Sequence, residues 1–363
     1  MLNTTFNTQS SFQQRLEDII TKIKIGHNLS IAHPDYPTVS VPDNYYPYLQ
    51  QMSESQRDRY LIHKLQRYLY DICMDRKVLY DSISDNGVKE TESSVVNRGD
   101  RWYETEFYRQ LVRSNHGQGY SDPEWSIVDR SQPYWLVTKE GLTLYIDPKY
   151  HLVESTANLN IGDIISIKLP ANTVERGYYI AVGDGGKVSH RHSTPEQTIL
   201  QLYFNTDSST ALQLLQFLTQ QLNELKIPFD FRLPYREANF ARADAAMLEF
   251  CDRDWQQLQP IVKHIYLSYG HGFKSEIPFF CCPITSGVGL AEKPFLEINE
   301  SNNNLGKRCC HNLALTIVKA QQNEKLKEAE RVRFIIENLS EQQTNLSVIH
   351  LNPSSKANYK AIF

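Results

Sequence analysis

Three arginines lie close together in "PFDFRLPYREANFARADAAML", residues 228–248: Arg232, Arg236 and Arg242. The stretch otherwise reads as two adjoining strands, where an unpartnered guanidinium is costly to bury. These groups must therefore face water, carboxylates or an anionic ligand. Side chains alternate across a strand. In "PFDFRLPY", Phe229, Phe231, Leu233 and Tyr235 share one face, and Asp230, Arg232 and Arg236 the other. In "LQLYFNTD", Leu200, Leu202 and Phe204 point one way while Gln201, Tyr203 and Asn205 point the other. A polar face lined by Tyr203, Asn205, Arg232 and Arg242 would suit a phosphate or carboxylate, because guanidinium forks grip such groups through two hydrogen bonds. The competing reading, which composition alone favours, is internal pairing: Arg242 with Asp244, and Arg232 with Asp230 or a surface glutamate.

The elements that would position these residues can be read from periodicity. "TILQLYFNTD" is a strand closing at Asp207, which caps a helix over "SSTALQLLQFLTQQLNELK" with Ala211, Leu215, Leu218, Leu222 and Leu225 at helical spacing. Strand, helix and "PFDFRLPY" form a β-α-β unit with parallel strands. "ARADAAMLEFC" is expected antiparallel to one of them, and "DRDWQQLQPIVKHIYLSYG" is a second covering helix interrupted near Pro260. Upstream, "WSIVDR", a hairpin "YWLVTKEGLTLYIDP" turning at Lys139-Glu140-Gly141, "DIISIKLP" and "RGYYIAVGD" supply further strands. "SSFQQRLEDIITKIKIG" and "SESQRDRYLIHKLQRYLYDICMDRK" are helices, the second with an apolar stripe through Tyr60, Leu61, His63, Leu65, Tyr68, Leu69 and Ile72; "RWYETEFYRQLVRSN" is another. "DSISDNGVKETESSVVNRGD" reads as a mobile segment, "IPFFCCPITSGVGLAEKP" as a loop, and residues 306–339 as a long helix, continuous or broken. The expected class is α+β: a helical N-terminal region (1–95), a mixed β-sheet covered by helices on one face (96–340) and a C-terminal tail (341–363).

The 363 residues, 40% hydrophobic and 22% charged with a net charge of -4, describe an ordinary globular chain with no bulk affinity for nucleic acid. The N-terminus lacks the layout of a signal peptide and no apolar run reaches membrane-spanning length, so a cytoplasmic location and no membrane partner are expected. The six cysteines then read as reduced thiols. A four-thiolate site from Cys281-Cys282 and Cys309-Cys310 would need adjacent ligands, whereas structural zinc prefers wider spacing. His190 and His192 have strand-face spacing but no third ligand. "GDGG", residues 183–186, is not followed by a helical pattern, which excludes a nucleotide loop. Neither a metal nor a cofactor is expected.

Seven segments in register, "SNHGQGY…PEWSIVD", "KEGLTLYIDP", "GDIISIKLPAN…RGYYIAVGD", "LYFNTD", "IPFDFRLPY…FARADAAML", "GVGLAEKP" and "NLGKRCC", resemble the HopA-like type III effector family, over about residues 100–319. That family includes the lyase subunits of class V lanthipeptide and thioamitide dehydratases. The resemblance implies a phosphoserine or phosphothreonine lyase that acts after a separate Ser/Thr kinase on a precursor peptide, removing the α-proton and expelling phosphate. By position it implies that Arg232, Arg242 and Arg308 hold phosphate, that Tyr203 and Asn205 orient it, and that Asp244 belongs to the same polar set. Asn115, with Gly117 and Gly119, matches a turn approaching the substrate backbone, and Glu292 a loop at the mouth. Two departures bear on activity. Family members commonly carry lysine where this chain has Arg232, and "FTK" where it has Phe280-Cys281-Cys282. Arginine is a poor general base, so Lys139, Lys187, Lys293, Lys307 or a histidine would have to serve, with Lys139 also counted toward the substrate site. Without a base, the chain would be a non-catalytic peptide- or partner-binding protein with an anion-facing sheet.

Overall fold

The computed structural model describes residues 4–26, 28–75, 105–131, 133–153, 158–175, 177–188, 197–294, 305–323, 326–341 and 346–362. The mobile segment expected at 81–100, the boundary expected near residue 95, and His190 and His192 lie outside them.

The N-terminal part comprises helix α1 (Thr4–Lys22), a small antiparallel sheet of β1 (Lys24–Ile25), β2 (Ile31–His33) and β3 (Tyr36–Val39), and helices α2 (Tyr46–Gln51) and α3 (Glu54–Tyr70). Ser53 and Gln56 form a capping box at the start of α3. The helix then widens into a π-turn over Asp71–Asp75. Helix α4 (Glu106–Ser114) leads into a four-stranded antiparallel sheet, ordered β6-β5-β4-β7, of β4 (Tyr120–Asp129), β5 (Trp135–Lys139), β6 (Leu142–Ile146) and β7 (Ile164–Leu169), with the short α5 (Pro148–His151) between the last two. The hairpin β5–β6 turns at Glu140 and Gly141, both at positive φ (53° and 82°), as expected for a two-residue connection.

The main sheet has seven strands, all antiparallel to their neighbours, in the order β13-β14-β10-β12-β11-β9-β8. Its members are β8 (Asn172–Glu175), β9 (Tyr178–Val182), β10 (Ile199–Phe204), β11 (Asp230–Pro234), β12 (Ala246–Cys251), β13 (Cys282–Thr285) and β14 (Val288–Glu292). Helix α6 (Ser208–Glu224) connects β10 to β11, and α7 (Trp255–Tyr269), with Pro260 inside it, follows β12. Asp207 caps α6, accepting from Thr210 N at 2.7 Å. Strands β10 and β11 run in the same direction, as expected, but β12 lies between them and pairs with both. The second correction concerns "IPFFCCPITSGVGLAEKP", which contains the hairpin β13–β14 and not a loop. Every residue of β14 is buried, so it lacks the alternation that marks a half-exposed strand. Its Gly289 lies so close to Cys281 that a Cβ there would sit 2.8 Å from the Cys281 Cβ.

The α+β class is as expected. On one face of the sheet Leu200, Leu202, Phe204, Phe231 and Leu248 pack beneath Leu214, Leu215, Leu218 and Leu222 of α6 and Leu258 and Ile265 of α7. The helical cover extends to the other face as well. There Tyr203, Met247 and Ala291 join a second cluster with α1, α3 and the C-terminal helices α8 (Leu305–Gln322) and α9 (Glu328–Glu341), the two halves of the broken helix. No helix among the described residues is long and apolar enough to cross a membrane.

Gly119, just before β4, has φ +92°, and a Cβ there would run into the Leu169 carbonyl oxygen. Gly141 has a similar φ (+82°) with nothing near its missing Cβ. Gly141→Ala should therefore show only the left-handed backbone cost, about 1–2 kcal/mol. Gly119→Ala should lose clearly more, which denaturant melts of the two variants would compare.

Candidate functional site

The polar face predicted from alternation exists, and cross-strand register arranges it in rows. Gln201 of β10 sits opposite Glu249 of β12, which sits opposite Asp230 of β11. One step along, Tyr203, Met247 and Arg232 form the next row. Residues that are directly opposed share a face at roughly 4.5–5.5 Å between Cβ atoms, so six side chains from three strands meet in one patch.

Glu249 is 2% exposed and is the most heavily partnered group there. Its Oε2 accepts from Lys293 Nζ at 2.7 Å, and its Oε1 from Gln201 Nε2 at 2.8 Å. Tyr203 donates its hydroxyl to Gln201 Oε1 at 3.0 Å, which makes a four-residue chain. Burial alone would push the Glu249 carboxyl up, but the Lys293 ammonium, with Arg232 and the Gln201 amide, outweighs it and the net shift is downward. Burial pushes the Tyr203 phenol well above its ordinary range, so it is a hydrogen-bond donor here.

Arg242 and Asp244 pair with each other. Arg242 Nε and Nη2 donate to Asp244 Oδ1 and Oδ2 at 2.9 and 3.1 Å, a two-pronged contact between buried groups. Tyr70, from the end of α3, donates to Asp244 Oδ2 at 2.8 Å, and Asp75, at the end of the π-turn, stands 3.7 Å from Arg242 Nε. The internal-pairing alternative thus describes Arg242. It does not describe Arg232. This residue is half-buried, its buried Nε has no hydrogen-bond partner among the described residues, and it makes no ion pair with Asp230 within them. Asp230 itself is 7% exposed, with a buried Oδ1 that has no partner among the described residues. Burial first, then the Glu249 carboxylate, raise its pKa to about 7, despite Lys187, Arg232 and Lys293 acting the other way.

The remaining sequence-selected residues lie elsewhere or are engaged. Asn205 is on the polar face, but its Nδ2 donates to the Glu276 carbonyl at 3.0 Å, holding the segment before β13. Asn115 ties loop to sheet, donating to Ala171 O and Tyr179 Oη at 3.0 and 2.9 Å and accepting from Gly117 N. Tyr179, paired with Leu233, belongs to the α6 side of the sheet, the face turned away from Arg232. Lys139 is in the four-stranded sheet, bonded to Asp122 Oδ1 and Pro123 O at 2.9 and 2.8 Å. Glu292, expected in a loop at the mouth, is instead a buried β14 residue opposite Leu200, on the apolar face. It accepts from Asn352 N, Ser355 Oγ and Tyr359 Oη at 2.7, 2.5 and 3.2 Å, fastening residues 352–359. Arg308 lies half-buried in the first turn of α8, with no hydrogen bond or ion pair among the described residues.

Cys73, Cys281, Cys309 and Cys310 are buried thiols, and burial pushes Cys309 up to about 12. No group of three potential ligands among the described residues is placed to hold a metal. Glu249, Tyr70 and Asp75 were not selected from sequence. A signal existed for Glu249, a single charge inside the apolar strand "AMLEFC". None existed for Tyr70 and Asp75, which arrive from a distant helix.

Three outcomes follow. Arg242→Ala leaves Asp244 buried without its cation and should cost about 3–5 kcal/mol. Tyr70→Phe removes a single hydrogen bond and should cost about 1 kcal/mol in the same denaturant titration. Asp230 has a folded pKa of about 7 against an ordinary 3.8, so ionising it opposes folding. Its contribution is complete below pH 4 and is lost as pH rises to 7, up to roughly 4 kcal/mol. Asp230→Asn should therefore melt progressively higher than the parent as pH climbs from 4 to 8, and a flat difference across that range would contradict the assignment.

Solved structures similar to this chain include two effector proteins. One is the effector protein from Pseudomonas syringae pv. tomato strain DC3000, at 14% identity and a TM-score of 0.38, covering 69% of this chain and 82% of that one. The other is the effector protein from Pseudomonas syringae pv. syringae strain 61, at 13% identity and a TM-score of 0.40, covering 88% and 99% respectively. No curated protein matches the sequence. The model of the HopA1 effector protein family matches residues 169–351, half of the chain, and spans every strand of the polar face. The chain belongs to the HopA1 effector protein family.

Proposed function

We propose that the protein is a phosphoserine/phosphothreonine lyase that converts a phosphorylated side chain of a precursor peptide to a dehydroamino acid, after a separate kinase has installed the phosphate. The observation that carries this reading is Arg232: a half-buried cation in the centre of a sheet face whose buried Nε lacks a partner among the described residues. Arg242 and Lys293 are each committed to a carboxylate. A phosphate entering beside Arg232 would meet a donor that is already in place, in surroundings where charge-assisted hydrogen bonds are strong. Arg242 then acts as a framework group that holds Asp244, Tyr70 and the π-turn together, and Arg308 is the second cation open to an anion. The lyase members of the family supply the reaction by resemblance.

A second reading, a binding protein that performs no elimination, is favoured by one observation: arginine at position 232 and cysteine at position 282, where family members commonly carry lysine.

Mass spectrometry of synthetic phosphoserine and phosphothreonine peptides incubated with the protein separates the two. The lyase reading expects loss of about 98 Da, one phosphoric acid, slowed at least about 100-fold by Arg232→Ala. Peptide that is bound through Arg232 but keeps its phosphate would support the binding protein.

A further inference from the structure

The elimination needs an acceptor for the α-proton, and neither arginine on the polar face can supply it. Each remaining group there can be tested against its own contacts. Lys293 keeps its proton in a 2.7 Å bond to Glu249. Glu249 has both oxygens filled, by Lys293 and Gln201. Tyr203 spends its hydroxyl proton on Gln201 and is held protonated by burial. Asp244 has both oxygens engaged by Arg242 and Tyr70. Asp230 differs from these: its side chain is more than nine-tenths buried, with a carboxylate oxygen that no described residue satisfies, whereas Asp75, whose Oδ1 is also unsatisfied among the described residues, has its other oxygen 3.7 Å from Arg242 Nε. It lies two residues before Arg232 on the same face of β11, so an unfilled acceptor and an unfilled donor lie side by side. Buried polar atoms without partners are rare, and a complementary pair of them is what a bound ligand would resolve.

Resting on the lyase reading above, the geometry points to Asp230 as the acceptor of the substrate's α-proton, with Arg232 facing the departing phosphate. In the step, Asp230 takes the proton from Cα, the C–H electron pair becomes the Cα=Cβ bond, and the Cβ–O bond breaks with its pair leaving on phosphate. The proton then passes from Asp230 to solvent, and no oxidant or further reactant is consumed. The groups that set the basicity of Asp230 are Glu249 on β12, Arg232 on its own strand, Lys187 after β9 and Lys293 after β14, with Tyr120 of β4 also within electrostatic reach. A buried carboxyl with a raised pKa is a stronger base than a solvated one and is still substantially ionised near neutral pH.

The test uses the full chain with a phosphothreonine peptide as probe, reading elimination rate, peptide affinity and pH dependence. Asp230→Asn should lower the rate at least about 100-fold, with peptide Kd changed by less than about three-fold. The parent rate should rise with pH to a plateau above pH 7, and Asp230→Glu should recover part of the rate with a displaced midpoint. An Asp230→Asn protein that eliminates at the parent rate with the parent pH profile overturns this assignment and leaves the lyase standing. A parent protein that binds the phosphopeptide without eliminating overturns both.

Discussion

A charge withdrawn from water must be matched by a partner or give up its charge, and the polar face of the central sheet is arranged around that constraint. Glu249 is matched by Lys293 and Gln201, and Asp244 by Arg242 and Tyr70. These two networks come from β10 and β12, the segment before β12, the segment after β14, and the end of α3, so they bind the N-terminal helices to the sheet as well as neutralising it. Asp230 and Arg232 lie beside the networks, on the neighbouring strand β11, and are completed by neither. A fold that satisfies the carboxylates of β12 and the segment before it leaves the adjoining pair on β11 unmatched, and departures of this kind concentrate where a protein acts on something else.

The placement of Arg242 changes the meaning of the arginine cluster. Three closely spaced arginines invite the idea of a single cationic grip, yet their environments differ. Arg242 is a structural cross-link whose removal would strand a buried carboxylate. Arg232 is available. The distinction depends on what stands opposite each guanidinium, which spacing does not encode. Lys139, Asn115 and Glu292 make the same point from the other direction: each is polar and suitably typed, and each is occupied holding a turn, a loop or a tail to the framework.

Local signals carried well into the structure. The leucine spacing of α6, its Asp207 cap, the tight turn at Glu140-Gly141 and the sorting of Gln201, Tyr203 and Arg232 onto one face were all readable, because each depends on residues a few positions apart. The same alternation placed Asp230 beside Arg232, though not the absence of a bond between them. Strand order was not readable. Nothing within "PFDFRLPY" or "ARADAAMLEFC" states that the later strand enters between two earlier ones. β14 escaped notice because a strand buried on both faces, with glycines for close packing, has the composition of a loop. The residues of α3 and the π-turn that meet the Arg242–Asp244 pair, Tyr70 and Asp75, are more than 160 positions away in the chain, beyond any pattern that a window can see.

The position of β12 has a consequence for how the molecule assembles. β10, α6 and β11 are made in sequence and are joined by a short-range helical connection, but the two strands have no hydrogen bonds to each other. Until β12 arrives, each presents an unpaired edge and the apolar underside of α6 has no continuous surface to rest on. Closing the sheet therefore waits for a strand that must enter a slot between two others, satisfying both ladders at once. Of those two ladders, β11–β12 joins consecutive strands, and β10–β12 closes the longer loop at the greater entropic cost. Met247 and Glu249 are fixed only when both ladders of β12 are made, while β14 must return from still further along the chain to complete the edge of β10.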